Sequence, residues 1–196
     1  MRALVVYCHP VAGSFNAAVL DVVTQGLAAR GADVRVRDLY AEGFEPLLTA
    51  AELGSYLDTA ANRAPVRSHV HDLEWCDTLI FVYPTWWYGP PAMLKGWLDR
   101  VLLPGVAFRM PPPEGGAIRP NMTHISTLAV FTTGGASRVI TALMGAPGRR
   151  ILLRGVRSVC ARRCRTAFAM HYAMDSSTDA SRAAHLKLVA RKVAAL

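Results

Sequence analysis

Phe81-Val82-Tyr83-Pro84-Thr85-Trp86-Trp87-Tyr88-Gly89-Pro90-Pro91-Ala92-Met93-Leu94-Lys95-Gly96-Trp97-Leu98-Asp99-Arg100-Val101 is the stretch on which the fold turns. It opens inside a continuous apolar run, Thr78–Tyr83, with no polar alternation. Such a run suits a strand buried on both faces, as in a parallel sheet covered by helices. Pro84 halts it, and Pro91–Leu103 then reads as a helix. Proline is tolerated in a helix's first turn, and Pro104-Gly105 closes this one. Strand, loop and helix in that order make a βα unit.

The same unit recurs outward in both directions. Upstream, residues 2–7 are a second fully apolar run, and Ser14 precedes a helical pattern of Ala18, Val19, Val22, Val23 and Leu27 that ends by Gly31. Val34 and Val36 alternate with Arg35 and Arg37 in a more exposed strand ending near Asp38. A short helix is expected around Thr49–Leu57 and another over Pro65–Trp75. Downstream, residues 104–121 are rich in Pro and Gly and read as an excursion loop. Ile125–Thr132 is a fourth strand, residues 137–153 a helix, Arg165–Tyr172 a fifth strand and Thr178–Leu196 a closing helix. Five strands alternating with helices predict one domain over residues 1–196, α/β in class. Its sheet is parallel and doubly wound, in the order 2-1-3-4-5, with helices on both faces.

Composition agrees with a single globular unit. The chain has 196 residues, 52% hydrophobic and 18% charged, too apolar for disorder. No apolar run approaches the ~20 residues needed to cross a bilayer. Arg2 leads directly into a strand-sized run, so the expectation is a cytoplasmic protein without a leader. The four cysteines, at 8, 76, 160 and 164, are expected to be plain thiols. Neither they nor the histidines at 69, 71, 124, 171 and 185 have metal-site spacing, so no metal is expected. Charge is uneven: residues 1–114 carry net −3, whereas residues 115–174 carry nine arginines and no acid. Seven of those fall between Arg149 and Arg165. They could face an anionic membrane or an acidic partner, or be solvated edges of an arginine-rich chain. No nucleic-acid motif accompanies them, and no nucleic-acid partner is expected.

In a doubly wound sheet, ligands bind beyond the carboxyl ends of the strands, where strand order reverses. That singles out three loops. The first, Cys8–Asn16, runs into a helix start, whose free N–H groups and positive dipole end suit a phosphate. His9, Ser14 and Asn16 add donors there, although Ser14 would serve equally as a plain helix cap. The second, Pro84–Pro90, holds three adjacent aromatics that cannot all enter one core. Its prolines and glycine are expected to fix an extended, rigid arc presenting backbone groups to a planar heterocycle. A tryptophan filling a gap over the next helix is the plainer alternative. The third, Thr132-Thr133-Gly134-Gly135, brings bare backbone against a ligand, or is simply a tight turn. Together the loops suit a phosphate-bearing planar cofactor. The chain has neither a Walker loop nor a G-x-G-x-x-G fingerprint.

These segments carry a resemblance. With Asp38-Leu39-Tyr40 and the block 81–101, they make the sequence similar to the flavodoxin-like NAD(P)H dehydrogenase (quinone) family. That family includes quinone reductases and ancillary subunits of potassium-efflux systems. The resemblance spans residues 2–135, roughly two thirds of the chain. It implies a flavin-dependent oxidoreductase that passes a hydride from NAD(P)H through bound flavin to a quinone or similar acceptor. The alternative it carries is a flavin-bound ancillary subunit of a membrane transporter, docked through Arg149–Arg165.

By the resemblance, His9, Ser14, Phe15 and Asn16 hold the flavin's phosphate chain. Pro84, Thr85, Trp86, Trp87 and Tyr88 wrap its ring, and Thr132, Thr133, Gly134 and Gly135 close the other side. Trp87 and Phe108 shape the substrate pocket, Phe108 from a neighbouring subunit, because the family is typically homodimeric. From its place just after the third loop, Arg138 is expected in the same pocket as a partner for the nicotinamide-dinucleotide phosphate, or else is a solvated arginine at a helix start. No side chain is expected to be catalytic, since the flavin carries the chemistry. Lys95-Gly96-Trp97 belong to a structural helix. The larger reductases carry a tyrosine and a histidine downstream of their Thr-Thr-Gly-Gly; here residues 138–148 contain neither. FMN is favoured over FAD because less chain is present to hold an adenosine.

Overall fold

The structure is a computed structural model that describes residues 1–196. Its main sheet contains β1 (Arg2–Tyr7), β2 (Asp33–Asp38), β3 (Thr78–Pro84), β6 (Thr127–Thr133) and β7 (Arg165–His171). They lie in the order β2-β1-β3-β6-β7, and every pairing is parallel. This is the predicted 2-1-3-4-5 order, counted over the five main strands. Between β3 and β6 the excursion loop forms a ribbon of two short strands, β4 (Phe108–Arg109) and β5 (Arg119–Pro120).

Strand alternation sends side chains to two cores. Leu4, Val6, Leu79, Phe81, Leu128 and Val130 face α3 (Arg67–Trp75), α4 (Ala92–Val101) and the segment 151–159, meeting Leu73, Trp97 and Leu152. Ala3, Val5, Ile80, Val82, Ala129 and Phe131 face α1 (Phe15–Ala28) and α7 (Asp179–Ala194), meeting Val19, Val23, Val189 and Val193. β1, β3 and β6 are buried on both faces, which is why their sequences read as unbroken apolar runs. β2, at an edge, is largely half-exposed and keeps its arginines.

Gly96 shows how closely α4 is seated. A Cβ on it would lie 2.2 Å from the Pro46 carbonyl oxygen and 2.4 Å from Pro46 Cβ. Lys95, its neighbour, pairs with Asp99 one turn on at 2.6 Å, on the solvent side.

Two predicted elements differ. The expected helix 137–153 is broken into α5 (Arg138–Leu143) and α6 (Pro147–Arg150), followed by a wide π-type turn over Ile151–Gly155 and a 3-10 turn over Val156–Val159. Gly145 and Ala146 take φ of +78° and +46°, and Pro147 has no N–H to continue the ladder. The helix expected over Thr49–Leu57 shrinks to α2 (Ala50–Gly54), started by a Thr49–Glu52 capping box. All four cysteines are free and buried.

Candidate functional site

The first loop leaves β1 and enters α1 through Ser14, whose Oγ accepts the Ala17 N–H at 3.2 Å. Ser14 Oγ also lies 3.3 Å from the Tyr7 hydroxyl. It is therefore the helix cap, set behind the cleft rather than lining it. His9 Nδ1 lies 3.0 Å from the Val11 N–H and 3.2 Å from the Val11 carbonyl, so the loop's own backbone engages Nδ1 and leaves Nε2 without a protein partner. The N–H groups of Phe15 and Asn16, at the start of α1, have no protein acceptor. Asn16 is buried; its Nδ2 donates to Thr133 Oγ1 at 3.0 Å, and its Oδ1 has no partner. Beneath them burial pushes the Cys8 thiol up to about 12, so it is no nucleophile.

The second loop is not the extended arc its prolines suggested. Trp86 and Gly89 exchange both backbone hydrogen bonds, at 3.1 and 3.0 Å, closing a two-residue turn over Trp87 and Tyr88. Both central residues have positive φ, +48° and +62°, as a type I′ turn requires. The prolines only flank this turn: Pro84 ends β3, and Pro90-Pro91 lead into α4. The turn leaves the Trp87 side chain 95% exposed and Trp86 44% exposed, beside the open N–H groups of Trp87 and Tyr88.

The third loop is latched to the second. Thr132 Oγ1 donates to the Tyr83 carbonyl at 2.7 Å, so the 2.9 Å contact between Thr85 and Thr132 hydroxyls has Thr85 as donor. Thr85 N–H meets the Thr133 carbonyl at 2.6 Å. Gly134 and Gly135 are bare for a reason beyond ligand access. A Cβ on Gly134 would lie 2.6 Å from Met170 Cε, and one on Gly135 would lie 2.5 Å from Asp175 Oδ2.

Those contacts reveal a fourth wall absent from the sequence reading. The chain after β7 crosses the third loop, with Ala173 N–H on the Ala136 carbonyl and Met174 N–H on that of Gly134, at 3.1 and 3.0 Å. Met174 and Asp175 thereby line the cleft. The available signal was positional only: they follow the carboxyl end of the fifth strand of the same sheet.

The four segments enclose a cleft of about 570 Å³. His9, Phe15, Asn16, Pro84, Thr85, Trp86, Trp87, Thr133, Gly134 and Gly135 all line it, ten of the thirteen residues expected to hold the cofactor. Ser14 and Thr132 support it from behind. Tyr88 lines an adjoining cavity of about 410 Å³, shared with Trp87 and Gly134. Arg138, exposed and without a hydrogen-bond partner, lines a third cavity next along. Phe108 sits on the β4 strand against the core and lines none of these cavities within its own chain. His9 and Asp175 are the titratable side chains on the cleft itself. What the cleft offers is donors, aromatic faces and bare backbone, an arrangement for binding and orienting a flat ligand with an anionic tail.

A five-stranded doubly wound sheet with a cleft at its switch point, between β1 and β3, defines the class: a flavodoxin-like α/β domain. The family model described as flavodoxin-like fold matches residues 1–193, and the chain belongs to that family. It is 32% identical over 157 residues to the ribosyldihydronicotinamide dehydrogenase [quinone] of Pongo abelii, covering 71% of this chain and 66% of that protein. The chain thus spans slightly under two thirds of that relative. Among solved structures, Smu.1420 from Streptococcus mutans UA159 superposes with a TM-score of 0.88 at 28% identity, over 100% of both chains. The NAD(P)H:quinone oxidoreductase from Methanothermobacter marburgensis superposes with a TM-score of 0.82 at 25% identity, over 99% of this chain and 96% of that one.

Proposed function

We propose that this protein is a flavin-dependent NAD(P)H oxidoreductase acting on quinones or similar flat acceptors. The observation that carries the proposal is the convergence of three sequence-distant loops on one cleft at the switch point, tied by Asn16–Thr133 and Thr85–Thr132. Quinone reductases among its relatives and structural neighbours support the same reading.

The residues present fit a flavin. An unpartnered buried Asn16 Oδ1, free N–H groups at Phe15 and Asn16, and the His9 imidazole suit a ribityl-phosphate chain. Trp86, Trp87 and the N–H groups of the 87–88 turn suit a ring and its polar edge, with Thr133, Gly134 and Gly135 opposite. One anion seat and one ring-sized cleft support FMN rather than FAD. Bound there, the flavin supplies the two-electron redox chemistry between NAD(P)H and the acceptor. The protein's own part is to orient the ring, to place open N–H groups beside the charge that develops on it, and to stack the exchanging partner against Trp87. Without the tyrosine–histidine pair of the larger reductases, protons come from solvent at the open rim.

A homodimer completes this reading. α5 exposes Val139, Ile140 and Leu143, with Val139 at 69% and Leu143 at 75% exposure, and Ile140 shares a cavity wall with Trp87. A second copy would cover that apolar surface and supply its Phe108 to the acceptor pocket. The test is the visible spectrum of the purified protein, with chromatography of the cofactor released on denaturation. Flavin bands that bleach with NADPH or NADH support the proposal. Failure to retain either FMN or FAD overturns it.

A further inference from the structure

A cavity larger than the cofactor cleft, about 760 Å³, lies along β7, between α5, α6 and the end of α7. Four elements each send a cation to its wall: Arg138 from α5, Arg149 from α6, Arg165 from β7 and Lys192 from α7. No aspartate or glutamate lines it. Arg138, Arg149 and Lys192 take part in no ion pair and donate no hydrogen bond, and Arg165 reaches only the Leu196 carbonyl. Many other arginines of the chain are also unpaired; what sets these cations apart is that they come from four separate elements to one cavity. Cations that converge with no acidic side chain among them repel one another and favour an anion there.

Two further features mark this as a binding site. Thr141, one helical turn after Arg138, is 95% buried, yet its hydroxyl has no partner and it lines the cavity. The Arg149 guanidinium lies 5.0 Å over the Phe168 ring, which makes a cationic aromatic wall beside apolar Leu153 and Met170. The cavity also communicates with the cofactor cleft. It shares Thr85, Tyr88, Thr141 and Met170 with the 410 Å³ cavity, which in turn shares Trp87, Gly134 and Gly135 with the cleft.

We propose that the basic cavity binds the acidic group of the acceptor, so that the preferred acceptor is a flat aromatic ring bearing a sulfonate, carboxylate or phosphate. The ring occupies the middle cavity beside Trp87 and Tyr88. The anion reaches Arg138, Arg149 and the Thr141 hydroxyl, with Arg165 and Lys192 behind. This rests on the reductase reading for the word acceptor, whereas the binding of an acidic aromatic does not require turnover.

The test is calorimetric titration of the purified protein with 1,4-naphthoquinone-2-sulfonate and with its neutral parent, 1,4-naphthoquinone, at low and at raised salt. One charge-assisted contact supports an expected preference of about tenfold for the sulfonate. That preference should fall toward unity in raised salt and in the Arg149→Gln and Lys192→Gln variants, with the affinity for the neutral compound as internal control. Equal binding of the two compounds, or a preference untouched by both substitutions, overturns the proposal. So does a loss in the variants confined to NADP+ binding, which would assign the cations to the donor. Turnover with NADPH, measured separately, reports on the reductase reading alone. A protein that reduces quinones yet ignores the sulfonate refutes only this inference.

Discussion

Asn16 and Thr133 stand 117 positions apart in the chain, and the Asn16 amide donates to the Thr133 hydroxyl at 3.0 Å in a buried contact. The bond ties the start of α1 to the end of β6, across the switch point. The other half of the amide, Oδ1, is buried with no partner. Asn16 thus spends one end on holding two loops in register and offers the other to the cleft.

Asn16→Asp should weaken cofactor retention more than Asn16→Ala. The alanine removes one buried hydrogen bond, worth about 1 kcal/mol net. The aspartate also places a negative charge at an anion seat, where like charges repel. Fluorescence titration with FMN measures both. Equal losses would show that Asn16 acts only as a strut.

The type I′ turn at Trp87–Tyr88 holds two non-glycine residues at positive φ, which costs of order 1 kcal/mol each. Replacing the pair with Asn-Gly, the residues this turn ordinarily uses, should raise Tm while weakening ring binding. Thermal melts with and without added flavin test both parts. An unchanged or lowered Tm would mean that the tryptophan and tyrosine side chains repay the strain by packing, against the 95% exposure of Trp87.

The sheet was legible because burial on both faces leaves an unmistakable print. β1, β3 and β6 admit almost no charge, and α1 announces its start with Ser14. The turn at 87–88 was not legible, since proline and glycine signal a bend without giving its sign of φ, and two bulky aromatics are poor candidates for the left-handed region. The break at Gly145–Pro147 is written in the sequence but masked there, because apolar residues resume at helical spacing beyond it. Met174 and Asp175 carried no local signal at all. Their place over Gly134 and Gly135 depends on where β7 ends in space. The basic cavity lies between: its arginines were plain in the sequence, but their convergence with Arg138, Lys192 and a buried hydroxyl is a tertiary fact.

Glycines separate structural from functional tightness. At Gly96 an added methyl would meet the backbone of Pro46 at 2.2 Å, which cannot swing aside. Gly96→Ala should therefore cost about 1–3 kcal/mol or more. Gly13, in the first loop, has nothing within 4 Å of its would-be Cβ, so Gly13→Ala should leave stability nearly unchanged. Chemical denaturation of the two variants decides it; a silent Gly96→Ala would mean that the 45–47 segment moves away freely.

Stability should fall steeply in mild acid, and the sign follows from two histidines. His69 and His185 are buried, and burial lowers the pKa of each from 6.5 to about 4. On His69 the Arg37 and Arg100 charges add to this against the opposing Asp72 carboxylate, and on His185 the neighbouring His171 ring disfavours a second proton. The unfolded chain binds protons near pH 6.5, and the folded protein only near pH 4. Between those values the unfolded state therefore holds more protons, and lowering pH favours it. The stabilisation is whole above pH 6.5 and is lost as pH descends toward 4, at a limiting slope of about 1.4 kcal/mol per pH unit for each histidine. The two sites differ in what holds the neutral ring. His69 Nδ1 accepts the Trp97 indole N–H at 3.3 Å, whereas His185 Nε2 has no partner and its ring packs against Phe15 and His171. His185→Phe should thus remove about one proton from the slope at little cost at pH 7, and His69→Phe should cost stability at every pH by stranding the indole. Urea midpoints of both variants measured from pH 4.5 to 7.5 check this. A wild-type midpoint flat over that range would mean that the folded protein takes up these protons without strain, and that the two rings are more open to water than their burial implies.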